Sequence, residues 1–255
     1  MEYLISASTD IGNEKETNQD SLNVRIISFG QERIVFAVLC DGMGGLEKGE
    51  VASASLVNAF HKWSEARLPA LYQKGITEAA LRYEWTELIA QYNEKLKVYG
   101  KKCAVNLGTT LAALLLTNDR YFIVNVGDSR VYELYDGVKI LTKDQTVVAR
   151  EIELGNLTPQ QAEQDPRRNV LLQCIGASDA VYPDFFTGTT KKDAVYMLCS
   201  DGFRHEISAE EIYQALCPAQ MISAEKMKET ELALINLNKQ REERDNISVI
   251  TIRTF

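Results

Sequence analysis

The order of apolar segments predicts an α+β fold, layered as a sandwich rather than built from alternating βαβ units. Three observations predict it. Short runs rich in β-branched and aromatic residues recur near the start, in the middle and at the end of the chain. Helical periodicity is confined to blocks between those runs. Several of the runs are apolar nearly throughout, as strands are when both faces of their sheet are covered, so helices are expected to flank them.

Residues 22–29 and 34–40 are the first strand candidates. Next, Ala52, Leu56, Ala59, Phe60 and Trp63 recur at helical spacing, and Leu81, Trp85, Leu88, Tyr92 and Leu96 do the same, giving two amphipathic helices with one buried stripe each. Strand candidates return at 110–116, 121–126 and 131–135, and Asp136-Gly137 then reads as a hairpin turn into 138–141. Between 142 and 184 the texture becomes polar and helix-prone, with Thr158-Pro159 as an N-cap followed by proline at the first helical position; this reads as an inserted flap. Residues 195–199 form another strand. A third helix, around Met227, Thr230, Leu234 and Leu237, leads through the charged stretch 239–244 into a last strand at 247–252. At 255 residues, without repeats or low-complexity tracts, the whole of 1–255 is expected to be one domain.

Apolar residues make up 45% and charged residues 25%, the balance of an ordinary globular protein. The formal charge of −8 argues against nucleic-acid partners, whose binding rests on Lys and Arg neutralising phosphates. Any phosphate site must obtain its positive charge locally. The five cysteines, Cys40, Cys103, Cys174, Cys199 and Cys217, are scattered and mostly set in apolar stretches, as in a reduced protein of the cytoplasm. Met1-Glu2-Tyr3-Leu4 lacks a basic segment leading into an apolar one, and no run approaches the roughly 18 apolar residues of a membrane span, so neither membrane association nor export is expected.

Five aspartates each stand beside an apolar run. They lie in Asn18-Gln19-Asp20, Asp41-Gly42-Met43-Gly44-Gly45, Gly127-Asp128-Ser129-Arg130, Ser200-Asp201-Gly202 and Asp245-Asn246-Ile247-Ser248. Singly, each is an ordinary turn or cap signal. If the strands share one sheet or a pair of sheets, their ends bring the carboxylates together, and uncompensated like charges repel strongly where water is excluded. A cation resolves the conflict. All-oxygen ligation, with no His or Cys at ligand spacing, suits a hard ion such as Mg2+ or Mn2+.

This ordered set, with Gly108-Thr109-Thr110 and Leu141-Thr142-Lys143-Asp144-Gln145, resembles the metal-dependent protein serine/threonine phosphatases of the type 2C class, the PPM family, in their compact bacterial form. The likeness runs from Ser8 to Thr251. It implies a four-layer αββα sandwich, two antiparallel sheets face to face with helices outside, and a two-metal centre at one edge. Asp41 would bridge two Mg2+ or Mn2+ ions, Asp20, Asp201 and Asp245 would supply further carboxylates, and the Gly42 carbonyl would serve one ion. Gln19 stands where relatives carry an acidic or amide residue reaching the metals through water, and Asp128 matches the position of a third, weaker metal. The implied reaction is hydrolysis of phosphoserine and phosphothreonine in proteins by metal-activated water, with no protein nucleophile. A phosphoprotein substrate, a cognate serine/threonine kinase and a monomeric state are the implied partners and assembly.

The sequence also departs from that pattern. Lys15 occupies the place of an arginine that grips the substrate phosphate, and a lysine offers a point charge without a planar fork; with Asp41 it is the expected catalytic pair. Met43 and Leu46 fill places where relatives often carry a histidine that protonates the leaving group. Of the two histidines, His61 lies on a predicted helix, and His205 stands where relatives have a second carboxylate for the third ion. These departures leave open a catalytically weak relative that binds a phosphoprotein or kinase. A two-metal phosphodiesterase is opposed by the net acidity. Arg167 and Arg168 in the flap are candidate contacts for acidic or phosphorylated segments.

Overall fold

The computed structural model describes residues 1–43 and 48–255. Leu46, with Gly44 and Gly45 of the second aspartate motif, lies outside the described residues. The strands are β1 (Tyr3–Asp10), β2 (Asp20–Phe29), β3 (Glu32–Asp41), β4 (Leu111–Leu116), β5 (Arg120–Val126), β6 (Arg130–Leu134), β7 (Val138–Ile140), β8 (Asp184–Thr189), β9 (Val195–Cys199) and β10 (Ile247–Thr254). The helices are α1 (Gly49–Ala66), α2 (Leu68–Lys74), α3 (Glu78–Cys103), α4 (Val147–Glu153), α5 (Pro159–Glu163), α6 (Ala209–Leu216) and α7 (Ala224–Gln240).

Among the described residues the strands form two five-stranded sheets, ordered β1-β10-β9-β6-β7 and β2-β3-β4-β5-β8. Every pairing within them is antiparallel. The period-two alternation of strand side chains sorts the core into three leaves. On β3, Val35, Ala37 and Leu39 point inward between the sheets, where they meet Leu114, Leu198, Ile250 and Ile252. The intervening Ile34, Phe36, Val38 and Cys40 face Leu56, Phe60, Trp63 and Trp85 of α1 and α3. On the other side, Val195, Met197 and Val249 pack on Ile212, Leu216, Met227 and Leu234 of α6 and α7. Helix, sheet, sheet, helix is the expected four-layer sandwich.

Residues 142–184 carry the two short helices α4 and α5. Thr158 accepts from the Gln161 N–H while the Gln161 side chain returns to the Thr158 N–H, so the expected cap is a full capping box with Pro159 in the first turn. The hairpin at Asp136-Gly137 is also present: Gly137 adopts φ 138°, and β6 pairs with β7 across it.

Four elements lack a counterpart in the expected strand and helix pattern: β1, β8, α6 and the seven-residue α2. β1 has an alternating face that is polar: Ser6 and Ser8 turn onto the buried Glu231 of α7, donating to its Oε2 at 2.7 and 2.6 Å, and Thr251 of β10 donates to Oε1 at 2.6 Å. β8 is an edge strand of half-exposed residues, and α6 is only eight residues long. The buried stripe of α7 is Met227, Glu231, Leu234, Ile235 and Asn238, so Thr230 and Leu237 lie beside the seam rather than on it.

Candidate active site

The register of β2 and β3 sets Asp20 directly opposite Asp41. Cross-strand partners project from the same face, so pairing alone places these carboxylates side by side. Asp201 lies two residues past the end of β9 and Asp245 two residues before the start of β10, and these strands are neighbours in the other sheet, tied at this end by the Ser200 N–H to the Ser248 carbonyl at 3.1 Å. The two sheet ends therefore converge.

The backbone around Asp41 is fixed from both sides. Its N–H donates to Thr110 Oγ1 at 2.9 Å, and its carbonyl accepts from Thr109 Oγ1 at 2.9 Å and from the Thr110 N–H at 2.8 Å. Thr110 Oγ1 in turn shares a hydrogen bond with Ser129 Oγ at 2.8 Å, linking Asp41 to the Asp128 motif. Gly42 sits where a Cβ would run into the Gln19 and Gly49 backbone, which explains the glycine there. The Asn246 side chain accepts from the Gln19 N–H at 2.9 Å and donates to the Ile11 carbonyl at 2.9 Å, clamping the loop before Asp20 to the start of β10.

The convergence has an electrostatic consequence. Burial, then the charges of Asp20, Asp201, Asp245 and Asp128, holds the Asp41 carboxyl well above its ordinary range. Burial, with added repulsion from Asp201 and Asp245, lifts Asp20 to about 7, although the Ser248 and Ser200 hydroxyls nearby favour its charged form. Neither Asp20 oxygen completes a hydrogen bond within ordinary geometric limits, nor does Asp201 Oδ1, and all three atoms are buried. Unpaired buried carboxylate oxygens are costly. Among the described residues no three acidic, histidine or cysteine side chains already stand as a closed ligand set. The carboxylates are near enough to repel one another.

The family model for Protein phosphatase 2C matches residues 12–235. The chain belongs to the protein phosphatase 2C family. Protein phosphatase PhpP of Streptococcus pneumoniae is 31% identical over 212 residues, covering 82% of each chain. Serine/threonine phosphatase stp of Listeria monocytogenes is 29% identical over 248 residues, covering 96% of this chain and 93% of its own. The fold matches the S. agalactiae serine/threonine phosphatase with a TM-score of 0.85 at 26% identity over 100% of both chains. It also matches the catalytic domain of PstP, solved with two manganese ions, with a TM-score of 0.77 at 25% identity over 98% of this chain and 97% of that one.

Within this protein phosphatase 2C fold, Lys15 reaches the carboxylates: its Nζ lies 2.7 Å from Asp245 Oδ1. Burial works against the Lys15 charge, but the bond to Asp245 and the charges of Asp41 and Asp201 outweigh it and raise its pKa. The Gln19 side chain approaches Glu50 Oε2 at 3.5 Å. Met43 is tied by its N–H to the Gly108 carbonyl at 3.1 Å. His61 lies on α1 beside Arg25 and Glu65, consistent with a structural role.

Several residues at the site escaped the sequence reading. Arg204 and Arg130 converge on Asp144, and Glu243, which sits in the charged stretch before Asp245, is only 5% exposed and pairs with His205. Arg130 grips Asp144 through Nε and Nη2 at 2.8 and 2.6 Å, and although burial alone would raise the Asp144 pKa, that grip lowers it. Among the described residues no helix is long and apolar enough to cross a membrane.

Proposed function

We propose that this protein phosphatase 2C family member hydrolyses phosphoserine and phosphothreonine in proteins at a centre of two Mg2+ or Mn2+ ions. Asp20, Asp41, Asp201, Asp245 and the Gly42 carbonyl would hold them, with Gln19 contributing through water. The supporting observation is that both Asp20 oxygens and Asp201 Oδ1 are buried and complete no hydrogen bond within ordinary geometric limits, beside Asp41 as the cross-strand partner of Asp20. Divalent ions bound there supply charge neutralisation at the phosphoryl oxygens and activation of solvent for attack on phosphorus.

The chain's own residues do the positioning. Thr109 and Thr110 hold the Asp41 main chain, so its carboxylate is aimed before any ligand arrives. Asn246 fixes the approach of Gln19 and Asp20 to Asp245. Lys15, half-buried and charged, is the local cation available to a phosphate dianion in a chain of net charge −8. We take residues 1–255 as one catalytic domain, with 142–184 as the segment beside the centre that shapes substrate choice, Arg167 and Arg168 included. The reading further assigns a cytoplasmic, monomeric enzyme that reverses the action of a serine/threonine kinase.

Mn2+-dependent phosphate release from a phosphothreonine peptide tests it. Asp41→Ala and Asp201→Ala should each cost at least about 100-fold in kcat. Full activity in excess chelator overturns the reading. Phosphopeptide binding without turnover at saturating metal would instead favour a phosphoprotein-binding regulator.

A further inference from the structure

Asp128, Asp144, Arg130 and Arg204 line a cavity of about 720 Å3, together with Val148, Ile152 and Ala162 of α4 and α5. Arg204 follows the Asp201–Phe203 turn and its side chain is 12% exposed. Its Nη2 donates to the Asp128 carbonyl at 3.1 Å and lies 3.6 Å from Asp128 Oδ2 and 3.5 Å from Asp144 Oδ2. The neighbouring His205 sits between Asp201 Oδ2, 3.6 Å from Nε2, and Glu243 Oε2, 3.4 Å from Nδ1.

On this flank each carboxylate already faces a basic side chain of the protein. Arg130 forks onto Asp144, Arg204 faces Asp128, and His205 faces the outer oxygen of Asp201. The contrast is with both Asp20 oxygens and Asp201 Oδ1, which among the described residues complete no hydrogen bond within ordinary geometric limits and face no basic side chain at salt-bridge distance. Lys15 on Asp245 differs from Arg204 because it is more exposed, at 27%, and sits on a flexible stem that can move aside. Arg204 is fastened to the Asp128 main chain as well as facing its carboxylate. A divalent ion on Asp128 would sit roughly 2.0–2.6 Å from its oxygen and so close to the guanidinium, two like charges with little water between them.

We infer that Arg204, with His205 beside it, takes the place of a third metal ion, so that the centre carries two ions and Asp128 partners a guanidinium rather than a metal. The inference rests on the two-metal reading and deepens it. It makes Arg204 a positioning residue that holds Asp128 and Asp144 and sets a fixed positive charge between the metal carboxylates and the cavity under α4 and α5. It also replaces the metal-ligand role that resemblance implied for Asp128.

The test counts Mn2+ bound per chain by equilibrium dialysis, with free Mn2+ read by electron paramagnetic resonance. Wild type and Asp128→Asn should both bind two ions, and an Arg204→Ser/His205→Asp variant should gain a third, weaker one. A wild-type ion that disappears in Asp128→Asn overturns the inference. So does a folded double variant, checked by circular dichroism, that still stops at two. If the double variant does not fold, the comparison of wild type with Asp128→Asn decides alone. Failure of the parent reading looks different: Asp20→Asn and Asp201→Asn would then leave the Mn2+ count unchanged.

Discussion

Stripped of divalent metal, the protein should lose stability as pH rises from about 4 to about 7. Asp20 is buried, and its pKa is lifted from 3.8 to about 7 in the folded state, chiefly by burial and then by Asp201 and Asp245. Between those two values the folded chain retains a proton that the unfolded chain has released. Stability therefore falls as pH rises through the window, and the loss is complete above the folded pKa. At 1.36 kcal/mol for each tenfold change in proton affinity, the gap corresponds to about 4 kcal/mol. Unfolding entropy near 2.1 cal/mol/K per residue converts that to a Tm drop of about 8 °C for a chain of this length. Asp128, also lifted to about 7 by burial and the Asp201 charge, titrates in the same window and steepens the slope. Scanning calorimetry of chelator-dialysed protein across this range measures it. Asp20→Asn should remove a large part of the slope, and Mn2+ should restore the high-pH Tm of the wild type. A metal-free Tm that is flat or rising with pH, or an Asp20→Asn variant with the wild-type slope, would refute the claim of crowded, uncompensated carboxylates.

Three further outcomes are expected. Lys15→Ala should raise KM for a phosphothreonine peptide about 10-fold or more, the worth of a charged hydrogen bond, and Lys15→Arg should keep or improve it; steady-state kinetics unchanged in both variants would remove Lys15 from the site. Thr110→Val leaves the Asp41 N–H and the Ser129 hydroxyl without their partner, so urea unfolding should show a loss of about 1–3 kcal/mol, and no measurable loss would mean that water replaces the hydroxyl. Gly202→Ala would drive a Cβ into the Asn246 carbonyl and against Asp245 Cβ at 3.3 Å, so both Tm and Mn2+-dependent turnover should fall; wild-type values would show that the strand ends have room to part.

Asp20, Asp41, Asp201 and Asp245 were legible because each abuts an apolar strand, and a strand end is a position that local sequence reveals. The helix stripes on α1 and α3 were legible for the same reason: Leu56, Phe60, Trp63, Leu81 and Trp85 are large, apolar and periodic, and all are buried. Polar burial was not legible. β1 hides Ser6 and Ser8 against Glu231, so its alternation carries no hydrophobic signal, and Glu231 reads locally as one more charged residue on a solvated helix. Glu243 was masked by the charged run around it, and Arg204 by the distance in sequence to Asp128 and Asp144. Ion pairs between remote segments leave no periodicity. The available hint was an arginine directly after Asp201-Gly202-Phe203, inside an otherwise buried turn.

Diffraction from a crystal soaked in Mn2+, with ions located by anomalous scattering, tests the convergence of the carboxylates most directly. Two peaks are predicted, each roughly 2.0–2.2 Å from carboxylate oxygens drawn from Asp20, Asp41, Asp201 and Asp245, with Asp41 touching both. Peaks elsewhere on the surface, or none among these four aspartates at saturating Mn2+, would contradict it.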